Sequence, residues 1–185
     1  MEIETIRNII RKALEELVDK DDEIFKQKLP KLGKSTEKER KLNRELHETA
    51  LNHRFAFYLE NGLINKNLTT YNVDIEYNRN FSNPKSVKME GIKIPVRPDI
   101  LIHKRMKTSE SDSHLLIIEA KKGKPSDHDI EKVKAFMNDT DYKYKYGLTV
   151  SYAFNQNQVE TILYSKSKNN KIEKEKINVK RKSYS

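Results

Sequence analysis

Apolar residues recur three or four positions apart at the start of the chain, "MEIETIRNIIRKALEEL", where Ile3, Ile6, Ile10, Ala13, Leu14 and Leu17 alternate with charged groups. Such spacing puts them on one face of an amphipathic helix over residues 1–20, whereas a secretory leader would need an unbroken apolar region. The next stretch, "KDDEIFKQKLPKLGKSTEKERK", has little apolar content and carries Pro30, Gly33 and Ser35, the signature of a loop. A second helix is predicted to begin at Thr36, with Glu39 three residues on to complete a capping box. Leu51, Phe55 and Leu59 share one face of it, and Asn61-Gly62 is its expected stop.

The period then changes. "YNVDIEY" alternates residue by residue, as a half-buried strand does, and "NRNFSNPKS" closes it with turn chemistry. "IPVRPDILIH" is predicted as a second strand and "HLLIIEAKK" as its neighbour, joined by the polar loop "KRMKTSESDS". "SDHDIEKVKAFM" follows as a helix capped by Ser126 or Asp127, with Ile130, Val133, Phe136 and Met137 inward. "YGLTVSYAF" and "VETILYS" complete the series as two strands, with Tyr144 and Tyr146 packed or at the rim at the start of the first. The order predicts a mixed α/β fold in one domain over residues 1–165, followed by a basic tail over 166–185.

Composition narrows the chemistry. Among 185 residues there is no cysteine, which excludes disulfides, thiolate metal sites and cysteine nucleophiles. No apolar run is long enough to span a membrane, so a cytoplasmic protein is expected. The net charge of +9 favours a polyanionic partner, with nucleic acid the best candidate. Much of that excess is local, because the last twenty residues hold eight Lys or Arg against two Glu, and such a run is ordinarily a solvated tail.

Asp99 opens the run Ile100-Leu101-Ile102 and Glu119 ends the run Leu115-Leu116-Ile117-Ile118. On adjacent strands both carboxylates fall at one end of the sheet, and Lys121, two residues beyond Glu119, projects to the same face. Two acids and an ammonium in a small volume suit Mg²⁺ or Mn²⁺ and phosphodiester hydrolysis: oxygen ligands hold the ion, which acidifies water, and the lysine orients or helps deprotonate the nucleophile and stabilises developing charge. A bare Glu-x-Lys is worth little in a chain so rich in both residues. The combination with Pro98-Asp99 twenty residues earlier and a helix directly after carries the signal.

At these positions, "RPDILIH" followed by "LLIIEAKK", the sequence resembles the PD-(D/E)XK nuclease superfamily, and with "HETALNHRFAFYLE" before "VDIEYNR" it is similar to small prokaryotic proteins assigned there. The resemblance covers roughly residues 40 to 165. It implies a restriction-endonuclease-like central mixed β-sheet flanked by α-helices, and metal-dependent cleavage of nucleic acid, DNA favoured, in defence, restriction or DNA processing. It makes Asp99 and Glu119 metal ligands and Lys121 the catalytic lysine. Glu48 is the matching acid on the preceding helix, where it shares a face with Leu51, Phe55 and Leu59 and therefore needs a partner.

Glu76 ranks below Glu48 as a further acid, and Glu45 and Glu60 read as solvent-facing. His53 reads as structural. Arg54, Arg79, Lys122, Lys132 and Lys134 are candidate contacts to nucleic acid, although Arg54 could instead pair with an acid, and Lys132 and Lys134 could be the solvated face of their helix. The Gln-x-x-x-Tyr pair of some branches is missing from "DIEKVKAF". Specificity is left to loops such as residues 80 to 95 or to a homodimer partner. Two other classes remain open, a catalytically silent nucleic-acid-binding module on the same fold and an interaction protein whose acids only form surface ion pairs.

Overall fold

The computed structural model describes residues 1–21, 24–25, 37–80, 83–89, 91–105, 113–152 and 158–180, with side chains for all of these except 37–47, 79–80 and 83–84. The Thr36–Glu39 capping box and the side chain of Arg79 lie outside the described residues.

Among the described residues, three helices flank one principal sheet: α1 (Ile3–Lys20), α2 (Glu37–Ile64) and α3 (Asp127–Asn138). The sheet has the order β1 (Asn72–Ile75), β6 (Ile100–His103), β7 (His114–Lys121), β8 (Tyr146–Ser151), β9 (Gln158–Lys166), β10 (Ile172–Lys180). Two small ribbons precede β6, one of β2 (Arg79–Asn80) with β3 (Asn83–Pro84) and one of β4 (Ser86–Met89) with β5 (Ile92–Pro95). Among the described strands only β7 and β8 run parallel, and α3 is the crossover that such a pair requires. The protein is therefore mixed α/β.

β7 is interior and buried on both faces, which explains why its sequence reads as a continuous apolar run. Leu116, Ile118 and Ala120 enter a core shared with α1 and α2, while Ile117 enters a second core with Leu101 of β6 and Val133, Phe136 and Met137 of α3. On the first side, α1 buries Ile6, Ile9, Ile10, Ala13, Leu14, Leu17 and Val18. Each large aliphatic side chain withdrawn from water in this way contributes about 1.5–3 kcal/mol. Tyr144 and Tyr146 are buried as well, one in each core.

Three expectations need correction. The stretch "IPVRPDILIH" is not one strand: Ile92–Pro95 belongs to the β4–β5 ribbon and Ile100–His103 to the main sheet. Pro95 and Pro98 have no amide hydrogen to donate to a ladder, so the chain breaks between them. The second helix does not stop at Asn61-Gly62. It runs to Ile64 and ends where Asn67 adopts a left-handed conformation (φ 56°), with Leu68 N–H donating to Leu63 O at 2.9 Å and Asn67 N–H to Ile64 O at 2.9 Å. These are the paired bonds of a Schellman cap, for which asparagine can replace glycine.

Finally, residues 172–180 are not a solvated tail but the edge strand β10, in register with β9 from Ile172↔Lys166 to Lys180↔Gln158. Ile177 and Val179 are buried in the α1-side core, and Arg7 of α1 donates to Glu175 at 2.8 Å. The lysines that suggested a tail, Lys174, Lys176 and Lys180, are exposed along this edge, where charge discourages pairing with another chain. Among the described residues no helix is long and apolar enough to cross a membrane.

Candidate active site

The antiparallel pairing Ile100↔Ile118 sets Asp99 and Glu119 side by side, one register step further along β6 and β7. Asp99 is fastened there by the sheet itself, since Ala120 N–H donates to its Oδ2 at 2.8 Å, and Glu76 N–H donates to the Asp99 carbonyl at 3.0 Å. Glu76 adopts φ 51°, a left-handed conformation that costs a residue other than glycine roughly 1 kcal/mol or more. It lies where β1 ends, and the turn carries its carboxylate to Arg97 at 3.4 Å.

Lys121 ends β7. Its Nζ lies 3.3 Å from Glu48 Oε1 and 3.8 Å from Asp99 Oδ2. Glu48 reaches this point from α2 and also accepts the Lys122 backbone N–H at 2.8 Å, so both of its oxygens are engaged. One helical turn on, the buried Asn52 accepts a hydrogen bond from Tyr152 Oη at 2.7 Å, which pins α2 against the end of the sheet. Glu48, Asp99 and Lys121 open into a cleft of about 830 Å³ whose walls include His53, Arg54, Glu76 and Arg97.

Glu119 sits behind this cleft with no solvent exposure. Lys132 of α3 places Nζ 2.6 Å from its Oε2 as an ion pair, yet neither carboxylate oxygen has a partner with hydrogen-bond geometry. Burial, reinforced by the charge of Asp99, raises the Glu119 carboxyl above the ordinary carboxylate range, while the ammonium groups of Lys132 and Lys121 pull the other way and favour the carboxylate. Burial raises Asp99 too, partly offset by Lys121 and the Ala120 N–H. Lys121 would be lowered by its own burial, but Asp99, Glu48, Asp129 and Glu119 outweigh that and raise it, so it is an ammonium at neutral pH.

The fit to a divalent cation rests on Glu119, because its Oε1 is fully buried with no hydrogen-bond partner beside a second carboxylate, and its Oε2 is met by the Lys132 ammonium alone. Asp99 and Glu119 would supply two oxygen ligands and water or phosphate the others, the usual habit of Mg²⁺. Among the described residues no three His, Asp or Glu side chains already converge as a ligand set.

The remaining candidates are placed as follows. His53 is exposed on the cleft wall and not packed. Arg54 is committed to Asp21 at 2.9 Å and Tyr58 at 2.7 Å, an arrangement that ties the end of α1 to α2. Lys122 enters through its backbone N–H. Lys134 pairs with Glu131 at 2.6 Å and lines a separate groove between α3 and the β4–β5 ribbon. Glu60 is exposed, and the side chain of Glu45 lies outside the described residues.

Two residues gain importance that the motif did not single out. Arg97 stands directly before Pro98-Asp99, a position that could have drawn attention in the sequence. Lys132 reads in the sequence only as a candidate contact to nucleic acid or a solvated lysine, and the packing of α3 brings it to Glu119. Compared with known protein families, curated proteins and solved structures, the chain finds no match in any of the three.

Proposed function

We propose that this protein is a divalent-metal-dependent nuclease that hydrolyses phosphodiester bonds in nucleic acid, with DNA the favoured substrate. The observation that carries the reading is the meeting of Asp99, Glu119, Lys121 and Glu48, from the approach to β6, from β7 and from α2, at one end of the sheet, three of them facing an open cleft. A cation held by Asp99 and Glu119 would acidify bound water and neutralise charge on the phosphate.

The chain's own groups divide the other tasks. Lys121, held as an ammonium between Glu48 and Asp99, donates to the attacking water or a phosphate oxygen and stabilises the charge that develops there. As a cation it serves as donor and not as base. Glu48 orients that ammonium, and Arg97, 62% exposed at the cleft wall, can take a neighbouring phosphate in exchange for Glu76.

A second reading, a silent binding module, is favoured by one observation: Lys121 and Lys132 are both already paired with site acids. One experiment separates the two. Labelled single- and double-stranded DNA and RNA, linear and circular, are incubated with the protein in Mg²⁺, Mn²⁺ or EDTA, beside Glu119→Ala. Cleavage that needs the metal and disappears in Glu119→Ala is expected, and cut circles would mark an endonuclease. Salt-sensitive binding without cleavage of any substrate would overturn the nuclease reading in favour of the module.

A further inference from the structure

Lys132 makes the shortest contact to a site acid, 2.6 Å to Glu119, although the motif that suggested the site does not include it. The lysine side chain is 14% exposed and the glutamate 0%. A salt bridge this deep is a poor source of stability unless the remaining lone pairs are satisfied, because both charges have lost their hydration. Here they are only half satisfied: Oε2 meets Lys132 alone, and the fully buried Oε1 has no hydrogen-bond partner. The pair therefore makes little sense as a structural clamp.

It makes sense as a charge held in reserve. The surroundings are acidic: Asp99 lies just before the adjacent strand β6, and Asp129 lies one turn back on α3. A cation is needed against Glu119, and Lys132 supplies one from a helix seated by its cap and its apolar face. Ser126 and Asp129 close a capping box at its start, and the neighbouring Val133 and Phe136 are fully buried. The four-carbon stem of a lysine on that helix can turn its charged end away without moving the backbone.

We propose that Lys132 is a positioning residue that serves as the counter-cation of Glu119 in the metal-free protein and competes with the divalent ion for that carboxylate, thereby setting the site's affinity for the ion. The proposal rests on the metal-dependent reading above. It gives opposite signs for two substitutions. Lys132→Met keeps the length of the side chain and removes the competing charge, so binding tightens. Lys132→Arg keeps the charge and grips the carboxylate with a planar fork, so binding weakens.

The test is calorimetric titration of Mn²⁺ into the full chain, as wild type, Lys132→Met and Lys132→Arg, at neutral pH and without nucleic acid. A unit charge a few ångströms from a divalent ion is worth enough to expect Lys132→Met to bind at least about tenfold more tightly. Lys132→Arg should bind more weakly than wild type. If wild type binds Mn²⁺ and Lys132→Met binds no better, the competition is overturned while the metal site stands. Should Lys132→Met fail to fold, Lys132→Arg decides alone, and equal or tighter binding overturns the proposal. No binding by any folded form overturns the metal reading itself, and this inference with it.

Discussion

Lys121 is surrounded by acids that raise its pKa, and this sets what its loss should do. If the ammonium stabilises charge in the transition state, Lys121→Met should lower kcat by about 10²–10³-fold with little change in KM. Steady-state kinetics on whichever substrate is cleaved would read this directly, and a change confined to KM would make the lysine a binding contact instead.

His114 gives a prediction independent of catalysis. Its ring lies 4.9 Å from that of Tyr144 and 6.3 Å from that of His103, centroid to centroid. Burial, followed by the charges of His103 and Lys85, lowers its pKa to about 4. A folded value below the unfolded 6.5 means the fold favours the neutral ring. That contribution is complete above the unfolded value and is lost as pH falls from there toward 4. His114→Gln should therefore show a smaller drop in Tm across this window than wild type, and parallel curves would acquit the histidine.

Helices and strands show where close approach matters. A Cβ on Gly62 would stand 2.9 Å from Ile9 Cγ2 of α1, and one on Gly147 of β8 would overlap Val133 Cγ1 and crowd Met137 Sδ of α3. Overpacking of this kind costs about 1–3 kcal/mol. At Gly62 the gain in helix propensity, about 1 kcal/mol, offsets part of it. Thermal melts should show Gly147→Ala clearly destabilised and Gly62→Ala much less so. Because α3 carries Lys132, the change at Gly147 should also disturb the contact to Glu119.

β10 tests the architecture of the whole chain. Deleting residues 172–185 uncovers β9 and removes Ile177 and Val179 from the core. At about 1.5–3 kcal/mol for each side chain, this takes a large share of a typical stability of roughly 5–15 kcal/mol. The truncated chain should melt far lower or fail to fold, as circular dichroism would show. An unchanged Tm would restore the view of this segment as a solvated tail.

What could be read in advance depended on the range of the interaction. The helical spacing of Ile6, Ile10, Leu14 and Leu17, the apolar run of β7 and the Ser126 cap are local, and each is visible in a few consecutive residues. The placement of Asp99 beside Glu119 was legible for a related reason, since two strands joined by a loop have one obvious pairing. Glu48 was legible as an acid on an apolar face that needed a partner, though not that Lys121 and the Lys122 N–H would be that partner.

Other features were decided only by tertiary structure. The lysines of β10 look like a solvated run because edge strands need charge on their outer face, and the two buried residues between them are too few to register as a pattern. Asn61-Gly62 has the chemistry of a helix stop, but Gly62 is accounted for by Ile9 of another helix. Lys132 spaces like an exposed lysine on α3, and its place against a buried carboxylate follows from how that helix lies on the sheet. Sequence determines which groups are available and how each element turns its faces; the close pairing of distant charges is settled only when those faces meet.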